Sequence, residues 1–288
     1  MAAVTAAGGA AGLRALLRDN RLIVAPGAYD CIGARMIEQA GFALVYMTGA
    51  GTAASLGYPD YGLVTMSEMA ENAGRIAASV GVPVIADADT GYGNELNVTR
   101  TVREYWRRGV GGLHIEDQAF PKKCGHLDDK VVISSGEFIA KVRAAVAAKP
   151  DPAFLIIART DARASLGLEA AVERMNAALE AGADMAFLEA PQTHDEVAAV
   201  PRLVKGPCLL NMVLGGKTPV EDLAEAERAG YRIAILPGLL FQSAMTAFET
   251  SLDEVKLRRR LPAVTVSLRE RFRRMGADDW DALRDRFR

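Results

Sequence analysis

Between Glu116 and His126 the chain reads Glu-Asp-Gln-Ala-Phe-Pro-Lys-Lys-Cys-Gly-His, and residue types at this spacing could move protons. A carboxylate pair, Glu116 and Asp117, closes an apolar run, and Cys124 follows, framed by Lys122, Lys123 and His126. Cations around a thiol favour its thiolate, so the segment predicts a lowered Cys124 pKa and a group that can give a proton, take one, or attack carbon near neutrality. Taken alone, a cysteine among lysines is most simply an incidental surface residue. The acidic clusters elsewhere in the chain turn the reading toward an active site on a mobile loop.

Those clusters follow other apolar runs. Asp87-Ala88-Asp89-Thr90-Gly91-Tyr92-Gly93 ends one, Glu116-Asp117 another, and Asp60 lies in the stretch after a third. Carboxylates that converge repel each other and raise each other's pKa unless a divalent cation neutralises them. The pattern therefore predicts a metal site. All-oxygen ligands suit Mg2+ best and Mn2+ next, and the absence of a His cluster argues against zinc. A single Asp here would read as a helix cap; two in strand-end alternation beside glycines read as ligands. Arg159 follows Ile156-Ile157-Ala158, where a guanidinium is costly unless paired, and its planar fork suits a substrate carboxylate. A structural pair with Asp161 or Glu189 is the alternative. Tyr46 at a strand end is either a core ring with a satisfied hydroxyl or a functional one. His114, inside an apolar run, reads as a hydrogen-bonded core histidine, His194 as a surface helix residue and Cys31 as helix packing. Gly49-Ala50-Gly51 lacks the Lys-Ser/Thr of a phosphate loop, so no organic cofactor is implied.

The elements that must position these groups are legible as a repeat. Eight β-branched apolar runs, at 22–25, 43–46, 82–86, 112–115, 154–158, 185–188, 208–211 and 233–236, alternate with stretches of helical period. Helices are expected at 30–40, 66–80, 97–108, 135–148, 168–181, 219–229 and 239–255. Gly41, Gly182 and Gly230 follow three of them and can end a helix in the left-handed conformation. The fold class is α/β, a (β/α)8 barrel whose catalytic groups lie at the carboxyl ends of the strands. No linker divides the 288 residues, so residues 1–288 form a single domain, with 258–288 a helical extension containing Trp280 and Phe287. That extension is expected to pack on, or swap with, a neighbouring subunit, or to fold back on its own barrel. Met1 to Ala11 reads as a frayed terminus and not a signal peptide. A net charge of -2 offers nothing to nucleic acid or anionic membranes, no apolar run spans a bilayer, and three scattered cysteines fit a reducing cytoplasm.

From about Leu22 to Leu252 the chain resembles the isocitrate lyase and phosphoenolpyruvate mutase superfamily. The Lys122-Lys123-Cys124-Gly125-His126 segment looks like the signature of its carbon-carbon lyases, with Asp87 to Gly93 and His114-Ile115-Glu116-Asp117-Gln118 as companions. The wording is most similar to 2-methylisocitrate lyases and the dimethylmalate- and oxaloacetate-cleaving branch. The resemblance implies that Asp87 binds Mg2+ directly while Asp60, Asp89 and Glu116 hold its waters. It implies that Tyr46, Thr48, Gly49, Ala50, Arg159, Glu189 and Asn211 surround a small carboxylate substrate, joined by Lys122, Gly125 and His126 from the loop. The expected reaction is retro-aldol, Claisen-type cleavage of a 2-hydroxy di- or tricarboxylate, with Cys124 protonating the carbanion. Tyr46 is the first candidate for the base, and a metal-bound water or Glu116 the second. The loop from Gln118 to Val131 should close over the site, with Gly125 permitting the hinge. A homo-oligomer, a tetramer, is expected. Gln242 stands where an arginine would hold a third carboxylate, which favours an alkylmalate-like substrate, and Lys217 is either a replacement charge or a solvated loop residue. Oxaloacetate hydrolysis or decarboxylation is the nearest alternative. Phosphonate chemistry follows, although Cys124 argues against it, and then a non-catalytic carboxylate-binding barrel.

Overall fold

A strand points successive side chains to opposite faces, so a barrel strand divides its residues between the interior and the surrounding helices. The computed structural model, which describes residues 9–127, 129–220 and 222–288, shows that division in all eight strands. They are β1 (Ile23–Ala28), β2 (Val45–Met47), β3 (Val84–Asp87), β4 (Gly112–Glu116), β5 (Leu155–Thr160), β6 (Met185–Leu188), β7 (Cys208–Asn211) and β8 (Ile233–Leu236), paired in parallel in sequence order and closed by β8 against β1. Ala25, Tyr46, Ile85, Leu155, Ile157, Met185, Phe187, Leu209, Ile233 and Ile235 fill the interior as one cluster. Their neighbours, such as Val45, Ala86, Leu113, Ala158 and Leu210, pack outward against the helices.

The helices are α1 (Ala10–Leu16), α2 (Cys31–Gln39), α3 (Gly49–Ser55), α4 (Met66–Ser79), α5 (Glu95–Arg107), α6 (Ser135–Ala147), α7 (Arg163–Leu166), α8 (Leu168–Glu180), α9 (His194–Leu203), α10 (Leu223–Ala229), α11 (Leu239–Arg258), α12 (Leu268–Arg274) and α13 (Ala277–Asp285). Side-chain caps set many of their starts. Thr65, Asn94 and Ser134 each form a reciprocal capping box. The Asn94 box starts α5 ahead of the expected Asn97, and the Asp222 cap starts α10 at Leu223, four residues after the expected Pro219. The three glycines at helix ends all have left-handed φ, from 88° to 102°.

Two expectations are corrected here. The amino-terminal stretch is not frayed throughout: Ala10 and Ala11 begin α1, whose fully buried Leu13 joins the interior cluster and seals the barrel floor. Met1 to Gly8 lie outside the described residues. The first strand also runs past Ala25 through Pro26 and Gly27 to Ala28, because an extended proline fits a strand and Gly27 allows β8's extension to approach: a Cβ there would lie 2.5 Å from the Pro237 carbonyl oxygen.

The carboxyl-terminal region is helical, as expected, but it buries little. No residue of α11, α12 or α13 is fully buried, and Phe248, Leu252, Leu257, Phe272 and Trp280 are exposed. The first turn of α11 meets its own barrel, where Leu240 packs on the core and Phe241 sits edge-on to Tyr29, and the end of α12 is tied to α2 by Gln39 Nε2, which donates to the Arg274 carbonyl at 2.8 Å.

Leu13 is remote from the strand ends that carry the polar residues. Leu13→Ala is expected to lower the unfolding free energy by about 3 kcal/mol in urea titrations while leaving the architecture and any catalytic constants unchanged.

Candidate active site

The interior row stops being apolar where the strands end. Two residues above Ile85 is Asp87; above Gly112 come His114 and Glu116; above Ile157 is Arg159; above Phe187 is Glu189; above Leu209 is Asn211. The parallel register sets Asp87 beside His114 and Glu116 beside Arg159. Together with Tyr46 they form a polar lid on a closed hydrophobic plug. Above them is a cavity of about 180 Å³ lined by Tyr46, Thr48, Ala50, Asp60, Asp87, Cys124, Gly125, His126, Arg159, Glu189 and Asn211, with Val213, Pro237, Phe241 and Gln242 on the far side. Of the expected residues, Lys122, Asp89 and Glu116 stand behind this lining, and Gly49 abuts Asp87. Wider clefts between α13 and α2 or α4 bring no comparable constellation.

Arg159 organises the electrostatics. Its Nη1 is 3.0 Å from Glu116 Oε2, its Nε and Nη2 donate to Asp161 at 3.0 and 3.2 Å, and Nη2 lies 3.4 Å from Glu189 Oε2. The Phe187 ring lies 5.1 Å from the guanidinium carbon. Burial works against its charge, but Asp161, Glu116 and Glu189 override that and hold its pKa well above the ordinary value. Burial likewise raises Glu189 and Asp161, yet Arg159 holds both below the usual carboxylate range, helped by His126 for Glu189 and by Lys130 for Asp161. For Glu116 burial prevails over Arg159, and its proton affinity is raised. The structural pair considered for Arg159 is therefore present, and its partners line or back the same cavity.

Lys122 and Cys124 correct the reading of the loop motif. Lys122 turns away from the thiol and is buried between Asp60 and Asp89, 2.6 Å from each. Its charge is spent there, held up by Asp89 and Asp60 against burial. Burial first, and the Asp60 charge second, push the Cys124 thiol up, outweighing the hydrogen bond from the His126 backbone and the charge of Arg159. Cys124 is thus a protonated thiol, suited to donating a proton. Burial also pushes the Tyr46 phenol well above its ordinary value, with Asp87 adding to it, which disfavours its phenolate. His114 is the buried, hydrogen-bonded histidine expected, but its Nε2 is 2.9 Å from the Tyr46 hydroxyl, so it belongs to the site.

The acids are not helix caps: α5, which follows Asp87 and Asp89, is capped by Asn94. Asp89 has φ 45° and donates its N–H to Asp87 Oδ1 at 2.9 Å, a left-handed turn that Asp tolerates. Tyr105 of α5 reaches under β3 to donate to the Asp87 carbonyl at 2.9 Å. Gly49 is needed for close approach, since a Cβ there would lie 2.3 Å from Asp87 Oδ2. Among the described residues no three His, Cys, Asp or Glu side chains form a preassembled metal cage. The donor set is all oxygen, and buried Asp89 Oδ1 and Glu116 Oε2 make ionic contacts without a directed hydrogen bond. Such a set fits a hard cation.

The loop after β4 lies closed over the cavity. Gln118 bonds Glu116 Oε1 and both the N–H and carbonyl of Lys123. His126 reaches the β7 side, with Nε2 3.0 Å from Glu189 and Nδ1 accepting the Lys217 N–H at 2.9 Å. Lys130 binds the Gly125 carbonyl and Asp161 Oδ1. Gly125 allows a close approach, since a Cβ there would strike Arg159 Nη2 and Glu189. Lys130, Gln118 and the buried Asp117–Arg174–Thr160 cluster beneath the loop were missed as site supports. A lysine in a polar loop and an arginine in a helix look solvated in sequence, and only the fold reveals their burial. His194 is exposed at the start of α9, as expected.

A (β/α)8 barrel carrying this constellation at its carboxyl-end rim defines an enzyme, with chemistry assigned to the strand ends. The chain belongs to the phosphoenolpyruvate phosphomutase family, whose model matches residues 13–256, within the PEP mutase/isocitrate lyase superfamily. It is 49% identical to a 2,3-dimethylmalate lyase of Eubacterium barkeri, covering 79% of each chain. It is 46% identical to a 2-methylisocitrate lyase of Aeropyrum pernix, covering 84% of this chain and 78% of that one. Among solved structures, an oxaloacetate acetylhydrolase in complex with 3,3-difluorooxalacetate superposes with a TM-score of 0.94 at 40% identity, covering 96% of both chains. A phosphonopyruvate hydrolase in complex with oxalate and Mg++ superposes with a TM-score of 0.87 at 31% identity, covering 97% of this chain and 99% of that one. Among the described residues no helix is long and apolar enough to cross a membrane.

Gly49→Ala is expected to push the Asp87 carboxylate aside and reduce kcat by about 10²-fold, with normal thermal unfolding; steady-state kinetics beside calorimetry checks both.

Proposed function

We propose that the protein cleaves the C2–C3 bond of a 2-hydroxy dicarboxylate of alkylmalate type, giving a 2-oxo acid and a carboxylate. The observation that carries the reading is the convergence of a protonated Cys124 thiol, Arg159 and Asp87 on one small cavity closed by the β4 loop. The relatives' names support the same chemistry. The far wall, with Val213, Pro237, Phe241 and the neutral amide of Gln242, suits an alkyl group better than a third carboxylate, so 2-methylisocitrate is the less favoured substrate. Gln242 is not idle: its Nε2 donates to the Leu214 carbonyl at 3.4 Å. Lys217 contributes its backbone N–H to His126 and its ammonium to the Leu127 carbonyl, a loop-tying role in place of a substrate contact.

Asp87 would hold Mg2+ directly, or Mn2+ in its place, and Asp60, Asp89 and Glu116 would hold its water shell. When bound, the ion supplies Lewis-acid polarisation of the substrate's hydroxyl and adjacent carboxylate. Glu116, which backs the cavity and whose proton affinity burial raises, takes up the hydroxyl proton by way of an intervening water. The C2–C3 electron pair then passes to the departing carbon, and Cys124 protonates it. Proton return from Glu116 to the thiolate, through water once the loop opens, restores the starting state. Arg159 and the N–H groups at the start of α3, near Gly49 and Ala50, stabilise charge on the reacting carboxylates. The closed loop, tied down by His126 and Lys130, keeps water from the carbanion.

Oxaloacetate hydrolysis is the second reading, favoured by the likeness to the acetylhydrolase. The exposed apolar side of α11 and the extension beyond it favour a homo-oligomer, which we propose is a tetramer, and the three free cysteines suit a reducing cytoplasm.

A product assay with Mg2+ and 2,3-dimethylmalate, 2-alkylmalates, 2-methylisocitrate and oxaloacetate distinguishes these. Release of a 2-oxo acid from an alkylmalate, lost by at least about 10²-fold in Cys124→Ser, is expected; turnover of oxaloacetate alone would move the assignment to hydrolysis. Because the thiol must be protonated and its pKa is raised, kcat should hold level through mildly alkaline pH and fall only above the ordinary thiol range, about 8.5. A decline beginning below that range would remove Cys124 as the acid.

A further inference from the structure

His114 is wholly buried, and its two ring nitrogens meet different surroundings. Nε2 lies 2.9 Å from the Tyr46 hydroxyl oxygen and 3.6 Å from Asp87 Oδ1. Nδ1 is buried and has no hydrogen-bond partner among the described residues. The Phe187 ring stands edge-on to the imidazole at 5.4 Å, and the Tyr46 ring stacks at 5.8 Å. A hydrogen on Nδ1, in a neutral or a charged ring, would have no acceptor among the described residues, so the geometry leaves the ring a single N–H. Placing that hydrogen on Nδ1 would bury a donor with no acceptor, the rarer and costlier of the two kinds of orphan. Placing it on Nε2 leaves only an unused lone pair on Nδ1 and aims the N–H dipole toward Tyr46 and the Asp87 carboxylate.

We propose that His114 is a positioning residue that holds the Nε2–H tautomer and donates to the Tyr46 oxygen, thereby committing the Tyr46 hydroxyl proton to an acceptor on the cavity side. Tyr46 can make one donation of its own. With its oxygen already accepting from His114, its proton is directed to Asp87 Oδ2, 3.5 Å away, or to a substrate oxygen that enters the cavity it lines. The opposite tautomer would take the proton from Tyr46 and leave the cavity facing lone pairs, which repel a carboxylate or a developing oxyanion. The inference rests on the lyase reading for its substrate, though the tautomer itself does not.

The test has two arms. In protein selectively 15N-labelled at histidine, long-range 1H–15N correlation is expected to show His114 with a protonated Nε2 and an unprotonated Nδ1 throughout the neutral range. Its signals are assigned by their loss in His114→Gln. A protonated Nδ1 would overturn the proposal. In the kinetic arm, Tyr46→Phe and His114→Leu are each expected to lower kcat about tenfold at similar KM, with the double variant no worse than Tyr46→Phe and with His114→Gln, which restores an N–H donor, recovering most of the rate. Additive losses would overturn the proposal. If the wild type turns over no hydroxy acid, the lyase reading falls alone, and the NMR arm still decides the tautomer.

Discussion

Everything at the rim of this barrel depends on one buried guanidinium. Arg159 sits among Glu116, Asp161 and Glu189, none of which is exposed to solvent. Removing charges from water costs several kcal/mol per ion unless each finds partners, and here the partners are drawn from separate strands, so the site cannot be assembled piecemeal. Lys130 joins the network through Asp161, and because Lys130 comes from the β4 loop, closing that loop and balancing the carboxylates are a single event. Lys122 does the same for Asp60 and Asp89. Loop position and site charge are coupled by Coulomb's law in a region where water cannot screen it.

This coupling explains what the amino-acid order revealed and what it hid. β6, β7 and β8 fall where the apolar runs predict them, because short apolar runs between helical segments have one reading in a parallel barrel. β1 was read short because Pro26 and Gly27 resemble breakers, and α1 was missed because an Ala/Gly-rich segment announces no face until Leu13 has a barrel floor to enter. The exposed apolar residues of α11 are legible as a helix but carry no record of what covers them.

The candidate site was legible as a roster, and its physics was not. Cys124, Arg159, Asp87, Glu189 and Asn211 were singled out and share a cavity. The direction of the Cys124 shift was misjudged because a charge counts by its distance and its other partners, and sequence proximity reports neither. Lys122 is two residues from Cys124 and spends its charge elsewhere. The resemblance makes Tyr46 the first candidate for the base, and total burial beside Asp87, which disfavours its phenolate, is visible only in the fold. His114 was read correctly as hydrogen-bonded, but its partner could be known only from the register of β3 against β4.

The alternation of side chains along the strands has a further consequence for how such a protein can change over generations. Plug and site are the lower and upper ends of the same inward rows, so an exchange of one upper residue alters the chemistry without disturbing the plug. A one-residue insertion below Glu116 in β4 or below Arg159 in β5 would instead turn an entire row inside out, sending the charges into the helical layer. The barrel strands are open to variation by replacement and nearly closed to variation by length, and new specificities of this scaffold are therefore to be sought by exchange in its top row and by changes of either kind in its loops.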